Sequence, residues 1–279
     1  GGGYVFGGTA TYASLTARNL GRQVGVITSA AEGLSLTRHL EGIQVINRVS
    51  RATTTFQNIY LNGSRQQYVK ALADPLHASD VPEAWRATRV VLLGPLVREL
   101  DIDMVRLFPC SLLAVTAQGW LRRWDETGHV HMRFWEEAAE ILSVVDVLVF
   151  SFEDVAHDLS LVKRYLSLAK IAVVTHGRAG ATVCCKAGAK WLPAYQAKEV
   201  DPTGAGDVFA AAYLVALDEG RDPFEAARFA NATASLAIEG EATSAIPTRA
   251  QVEERLRQDQ RIEIDPSTDN LIRNVCGLP

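Results

Sequence analysis

Four short apolar runs, Arg89–Leu93, Leu112–Thr116, Asp146–Phe150 and Ile171–Thr175, alternate with segments of helical pattern near Asp101–Phe108, His131–Leu142 and Leu159–Ala169. Runs this short and this continuously apolar belong to strands buried on both faces. The intervening helices supply that cover, and the chain length that a parallel crossover requires. The pattern predicts an α/β fold, a three-layer sandwich around a mostly parallel central sheet. Ligands on such sheets collect beyond the C-terminal strand ends, so the residues just after each strand carry the most interest. A chain of 279 residues is long enough to bury a substantial core and lies near the upper end for one domain.

One region departs from the alternation. Ile43–Val49, Thr53–Leu61 and Arg65–Leu72 are strand-like with few helical signals between them, and Asn62-Gly63 is a strong hairpin turn. This predicts a small β-sheet lid over residues 44–72, inserted into a core made of residues 1–43 and 73–279. An edge extension of the main sheet is the alternative. The net charge of −4 gives no reason to expect a nucleic-acid or membrane partner, and no apolar run is long enough to span a bilayer. The four cysteines have neither metal-ligand spacing nor disulfide density, which suits a reducing cytoplasm. Gly1-Gly2-Gly3 opens the chain without a methionine or a signal pattern, so its natural beginning is expected to be missing.

The sharpest motif is Asp201-Pro202-Thr203-Gly204-Ala205-Gly206-Asp207, between a β-like run, Ala194–Val200, and an apolar helical run, Val208–Leu217. Asp201-Pro202 opens a turn, and the glycines allow backbone angles closed to other residues. The first turn of the helix then aims unpaired N–H groups into one small space, an anion nest aided by the helix dipole. Asp207 at its mouth is an acceptor that can take a proton from a hydroxyl. A phosphate cradle beside a general base is the machinery of phosphoryl transfer.

This string resembles the second signature of the ribokinase-like carbohydrate kinases, the PfkB family, whose usual form is Asp-Thr-x-Gly-Ala-Gly-Asp; Pro202 departs from it at the second position. Gly7-Gly8, the helical stripe Thr9–Leu20, the stop Gly21 and the run Val24–Thr28 resemble the first signature, with Tyr12 where many relatives carry an Asn. Thr175-His176-Gly177-Arg178-Ala179-Gly180 resembles the family's Thr-x-Gly-x-x-Gly loop, and Ser151-Phe152-Glu153-Asp154 its Asn-x-x-Glu.

The resemblance implies a ribokinase-like fold and an ATP- and Mg2+-dependent kinase acting on a hydroxyl of a small polyol. It makes Asp207 the base and the amides of Gly204, Ala205 and Gly206 the holders of the transferred phosphoryl charge. It assigns Thr175, Gly177, Arg178, Gly180, Thr203 and Asn231 to the nucleotide, in the C-terminal half of the chain. Gly7, Gly8, Thr11, Tyr12, Gln118 and Asp207 fall to the substrate. Asp154, with Glu153 beside it, would hold Mg2+ through water. The carbonyl of Asp201, with the loop Gly240–Ala245, would hold a monovalent cation, K+. The lid would close over the substrate and pair two subunits into a homodimer. Relatives begin with a strand ending in a substrate-binding aspartate, which is not visible here. Tyr12, Gln118-Gly119 and Ser151–Asp154 together look more like the inositol-kinase branch than like ribokinase.

Other readings stand beside this one. Gly2 through Thr9 almost spells a P-loop, but Gly8 stands where the phosphate-binding lysine belongs. Ser151 with Asp154 also reads as a helix cap. Gln118 and Arg122 read equally as substrate and phosphate contacts or as solvated loop residues. His129 and His131 alternate as metal ligands do, with no acidic or cysteine partner nearby in the pattern, and read as surface residues. A non-catalytic sensor of sugar or nucleotide on the same scaffold is the competing function.

Overall fold

The structure is a computed structural model and describes residues 4–61 and 64–263. In chain order its elements are α1 (Gly8–Asn19), β1 (Gly25–Ala31), a single helical turn α2 (Leu36–His39), β2 (Gln44–Ser50), β3 (Thr55–Leu61), β4 (Ser64–Ala71), β5 (Val90–Leu93), β6 (Leu112–Thr116), β7 (Arg122–Trp124) and β8 (Val130–Met132). They continue with α3 (Ala138–Val144), β9 (Val147–Ser151), α4 (Leu159–Leu168), β10 (Ile171–Thr175), β11 (Ala181–Cys185), β12 (Gly188–Leu192), α5 (Ala205–Asp218), α6 (Pro223–Ala237) and α7 (Arg249–Gln258).

Six strands form the central sheet in the order β12-β11-β10-β9-β6-β5. Its four strands from β5 to β10 are parallel, as their apolar runs predicted, while β11 and β12 add antiparallel on one side. The side chains alternate between two cores. Leu113, Val115, Leu148, Phe150, Ala172 and Val174 face a layer containing Trp135, Ile141 and Tyr165. Ala114, Val147, Val149, Val173, Ala181 and Val183 face Phe209, Tyr213 and Phe229 of α5 and α6. Each valine, leucine or phenylalanine among them contributes about 1.5–3 kcal/mol by leaving water, so the two-sided burial fixes the register of the sheet. This is the expected α/β sandwich, with a mixed rather than wholly parallel sheet.

Beyond β5 the sheet stops. β1 and β2 form a separate parallel pair, and β3 and β4 a separate antiparallel hairpin. A cavity of about 750 Å³ separates β1 from β5, with residues 24–29 along one wall and residues 88–94 along the other. Two strand edges therefore face each other across a gap, and among the described residues neither has a strand partner on that side. Residues 44–50 pair with β1 rather than with the hairpin, while residues 55–71 supply the small antiparallel sheet. The Asn62-Gly63 turn lies outside the described residues.

Three local expectations are corrected. The predicted helix His131–Leu142 begins only at Ala138, because the turn through Gly128, at φ +84°, sends residues 130–132 back as β8. Trp135 is then buried, its main-chain N–H donating to the Tyr165 hydroxyl at 3.2 Å. Ala194–Val200 is extended but makes only an isolated bridge, Tyr195 to Arg261, so it is not a strand of the sheet. Asp101–Phe108 is a short 3-10 segment, Ile102–Arg106, capped by Asp101. No described helix is long and apolar enough to cross a membrane.

Candidate active site

The turn ahead of α5 is built as its sequence dictates. Asp201 Oδ1 accepts from the Thr203 N–H at 2.9 Å, closing an Asx turn, and Gly204 then adopts φ +80°. A Cβ at Gly204 would lie 2.3 Å from Cγ of Tyr12, so the backbone rests directly on that ring. Tyr12 is 2% exposed and packed with Leu15, Val26 and Val208. Burial, with the Asp201 and Asp207 charges nearby, pushes its phenol up to about 12. The ring is thus a floor under the turn. Of the three amides expected to meet an anion, Ala205 N–H is engaged by the Pro202 carbonyl at 3.2 Å, while Gly206 is exposed with no heavy atom within 4 Å of a Cβ built on it.

Asp207 lies on the first turn of α5, half-buried beside the start of α1. Thr9, on α1 just after Gly7-Gly8, donates its hydroxyl to Asp207 Oδ1 at 2.6 Å. Burial raises the Asp207 carboxyl to about 6, against the pull of the Thr9 hydrogen bond and the Arg122 guanidinium; the Asp154 charge adds to the rise. The carboxylate is therefore ionised at neutral pH and close to the proton affinity that a general base needs. Thr9 is held in turn by Gly94, just past β5, where a Cβ would sit 2.2 Å from the Thr9 methyl. Neither Thr9 nor Gly94 stands out in the sequence as a site residue. The rule about strand ends points to Gly94, and the Gly7-Gly8 motif stops one residue short of Thr9.

Arg122 also belongs here. It is 8% exposed, its guanidinium stands 5.5 Å from the centre of the Phe56 ring on β3, and its charge lowers the proton affinity of both Asp207 and Glu99. Glu99 is half-buried and accepts from the N–H groups of Leu96 and Val97, and desolvation still holds its carboxyl above the usual range. Gln118 is half-buried on the 3-10 turn Ala117–Gly119, whose Gly119 packs against the backbone of Pro95 and Leu96. Thr11 is buried within α1. The β3–β4 hairpin, the loop after β5, the loop after β6 and the starts of α1 and α5 thus come together around Asp207.

The second group of predicted residues surrounds β10 and β11. Thr175 ends β10, and Gly177, Arg178 and Ala179 form a 3-10 turn with Gly177 at φ +54°. Gly180, at φ +102°, could not carry a side chain, since a Cβ would meet the Leu192 carbonyl at 2.2 Å. Arg178 pairs with Glu199 at 2.8 Å while staying largely exposed. His176, between Thr175 and Gly177, is half-buried, bonds the Thr182 hydroxyl at 2.8 Å, and is held down to about 4 by desolvation. Asn231 is buried, and its amide donates to the carbonyls of Leu192 and Pro193 at 2.9 and 3.2 Å. Both of its donors are used in fixing the end of β12 to α6, which answers why an Asn stands inside that helix.

The acids assigned to cations are placed as follows. Ser151 N–H donates to Asp154 Oδ2 at 2.9 Å, and Asp154 N–H to the Ser151 hydroxyl at 3.0 Å, so the reciprocal cap exists, on a turn ahead of α4. That bonding leaves Oδ1 of Asp154 able to meet the hydration shell of Mg2+, and Glu153 is exposed alongside. Asp201 Oδ2 accepts from the Ala242 N–H at 3.0 Å, which draws the 240–245 loop against the turn that precedes α5.

Comparison with known proteins follows this geometry. Residues 132–249 match the profile of the pfkB family carbohydrate kinases. The chain is 43% identical over 84 residues to a ribokinase of Bacillus subtilis, covering 30% of this chain and 29% of that protein. It is 30% identical over 172 residues to an inositol 3-kinase of Arabidopsis thaliana, covering 60% of this chain and 47% of the relative. The chain thus spans less than half the length of these curated relatives. A pyrophosphate-dependent kinase in the ribokinase family, solved as a sulfate complex, superposes with a TM-score of 0.78 at 24% identity, over 90% of this chain and 92% of that one. The fold is that of the ribokinase-family structures, and over residues 132–249 the sequence is similar to the pfkB family carbohydrate kinases.

Proposed function

We propose that this protein transfers the terminal phosphoryl group of ATP to a hydroxyl of a small sugar, cyclitol or nucleoside. The observation that carries the reading is the Thr9–Asp207 hydrogen bond beside the Gly204–Gly206 turn. An ionised carboxylate of raised proton affinity, at the positive end of a helix, stands where a hydroxyl could approach. A pure binder has no use for a carboxylate that costs stability to keep charged.

In this mechanism Asp207 accepts the substrate hydroxyl proton as the oxygen attacks the γ-phosphorus. Main-chain N–H groups of Gly204 and Gly206 face the charge on the transferred group. Arg122 steadies the anionic cleft, and its contact with Phe56 links it to the hairpin that we read as the lid, within an insertion spanning residues 44–72. Thr175, Gly177, Arg178, Gly180 and Thr203 border the nucleotide, with Asn231 shaping that region through the Leu192 and Pro193 carbonyls. Asp154, with Glu153, would hold Mg2+ through water, and the metal would supply neutralisation of phosphate charge. The Asp201 carbonyl and the 240–245 loop would hold K+. Gly7, Gly8 and Gln118 line the acceptor side, with Thr11 and Tyr12 behind them. Subunit pairing through the 44–72 segment belongs to the same reading, and exposed Val49 and Leu72 are the apolar surface that a partner would cover.

The similarity to inositol 3-kinases favours a cyclitol acceptor. A panel of cyclitols, sugars and nucleosides, with ATP and pyrophosphate each tried as donor, should give the highest kcat/KM with a cyclitol and ATP. Preference for a linear or furanose sugar would discard the cyclitol branch; binding of both ligands with no transfer in any combination would establish a sensor instead.

Thr9 is a positioning residue, and its role has a pH signature. The carboxyl at about 6 makes the acid limb of kcat/KM fall as pH drops through 6, because the protonated form cannot act as base. The Thr9 hydroxyl stabilises the ionised form, so Thr9→Val should move that limb to higher pH and leave the rate above pH 8.5 much less affected, whereas Thr9→Ser should restore the original profile. An unmoved limb in Thr9→Val would separate Asp207 from the inflection.

A further inference from the structure

We propose that Asp125, His129 and His131 form a binding site for a transition-metal ion of borderline softness, Zn2+ being the type, at the tip of the β7–β8 hairpin. Asp125 stands four and six residues before the two histidines, and the turn between folds its carboxylate back onto them. Asp125 Oδ1 accepts from the Thr127 N–H at 2.9 Å, the Thr127 hydroxyl at 2.6 Å and the His129 N–H at 3.1 Å. That fixes the carboxylate plane and turns Oδ2 toward His131 Nε2, 3.0 Å away. The ligand atoms offered by the three residues all lie within 4.8 Å of one another.

The donor set matches the chemistry. A tetrahedral zinc ion holds N and O ligands at about 2.0–2.2 Å, which separates neighbouring donors by roughly 3.3 Å. The His131–Asp125 pair is already near that spacing, so an ion takes the place of the proton between them. The ligand atom of the second imidazole lies within 4.8 Å of the other two, and the exposed turn leaves the fourth position open to water. Imidazole-rich sets favour Zn, Cu or Ni over Mg or Ca, so this site differs in kind from the one assigned to Mg2+.

The surroundings hold the ligands in place. The His129 ring stacks on Tyr68 of β4 with centroids 4.9 Å apart, and meets His131 edge-on at 4.4 Å. Val69 N–H donates to the Gly128 carbonyl at 2.8 Å, tying the hairpin tip to β4. Lys70 stands over the Tyr68 ring at 5.2 Å, a cation that weakens rather than abolishes attraction for a divalent ion. On the other side, Arg123 pairs with His131 and Arg122 with Met132 across β7 and β8. A bound ion would therefore stiffen the hairpin that delivers Arg122 into the cleft, and clamp it to the β3–β4 hairpin. The site itself does not depend on the kinase reading.

The test uses the tag-free full chain, stripped with a chelator and titrated with Zn2+ by calorimetry, with Co2+ visible absorption as a second readout. The expected result is one ion per chain, with His131→Ala and His129→Ala each weakening binding by at least about tenfold. His77→Ala, away from the hairpin, should bind as the parent does. Zn2+ should raise the melting temperature of the parent and not of the two hairpin variants. Absence of saturable binding, or binding of equal strength in both hairpin variants, would overturn the proposal.

Discussion

Asp207→Asn should lower kcat by about 10²- to 10⁴-fold, the usual worth of a positioned base, while raising the melting temperature. The two effects come from one cause. The folded protein holds this carboxyl at about 6 rather than 3.8, so ionising it costs the native state close to 3 kcal/mol at neutral pH. For a carboxyl raised on folding, the stabilising contribution is complete below pH 4 and is lost as pH rises through 6. Asparagine keeps an acceptor for Thr9 without a charge to desolvate, and so escapes that loss. At pH 7.5 the variant should gain on the order of 1–3 kcal/mol, or a few degrees in Tm. Below pH 4 the advantage should vanish. Calorimetry across pH 4–8 beside initial-rate measurements reads both halves. An inactive variant that is also less stable at pH 7.5 would mean that Asp207 is a structural ion, and the base would have to be sought elsewhere in the cleft.

How much of this was legible in the sequence depended on whether the information was local. The parallel strands of the central sheet followed from periodicity, because each run depends on neighbours within a few residues. Gly204 was legible for the same reason. The region 131–142 was not, since burial of Trp135 against Trp120 and Tyr165 is tertiary and overrode a helical pattern. At the site, Asp207 announced itself through its motif, but the residue that bonds it lies 198 positions earlier. Asn231 shows the same limit. Asparagine is a poor helix-interior residue, which points to a partner for its amide, but that the partner is the end of β12 is visible only in three dimensions. Tyr12 could be counted as a site residue from its position, whereas its place beneath Gly204 is visible only in three dimensions. Asp125 was near the two histidines in sequence, but the turn that aims its carboxylate at His131 is visible only in the structure.

Gly204→Ala is the second large effect, and it should damage both stability and catalysis. The left-handed conformation at φ +80° costs an alanine roughly 1–2 kcal/mol. The steric conflict is worse, because the new methyl would lie 2.3–2.5 Å from three atoms of the Tyr12 ring. That ring has nowhere to go, being wedged among Leu15, Val26, Val208 and Ile246. The turn must lift instead, carrying the amides of Gly204 and Gly206 away from the positions they hold relative to Asp207. Misplacing one such donor typically costs 10²- to 10³-fold in rate, and the combined strain should lower Tm by on the order of 5–10 °C. Gly206→Ala is the informative contrast. Its φ is not positive and its Cβ would meet nothing within 4 Å, so the fold should tolerate it and any loss should appear at the phosphate donor, as a raised KM. If Gly204→Ala and Gly206→Ala proved equally mild, the turn would be free to move on the Tyr12 ring, and the amides could not be the preorganised anion site on which the phosphotransfer reading rests.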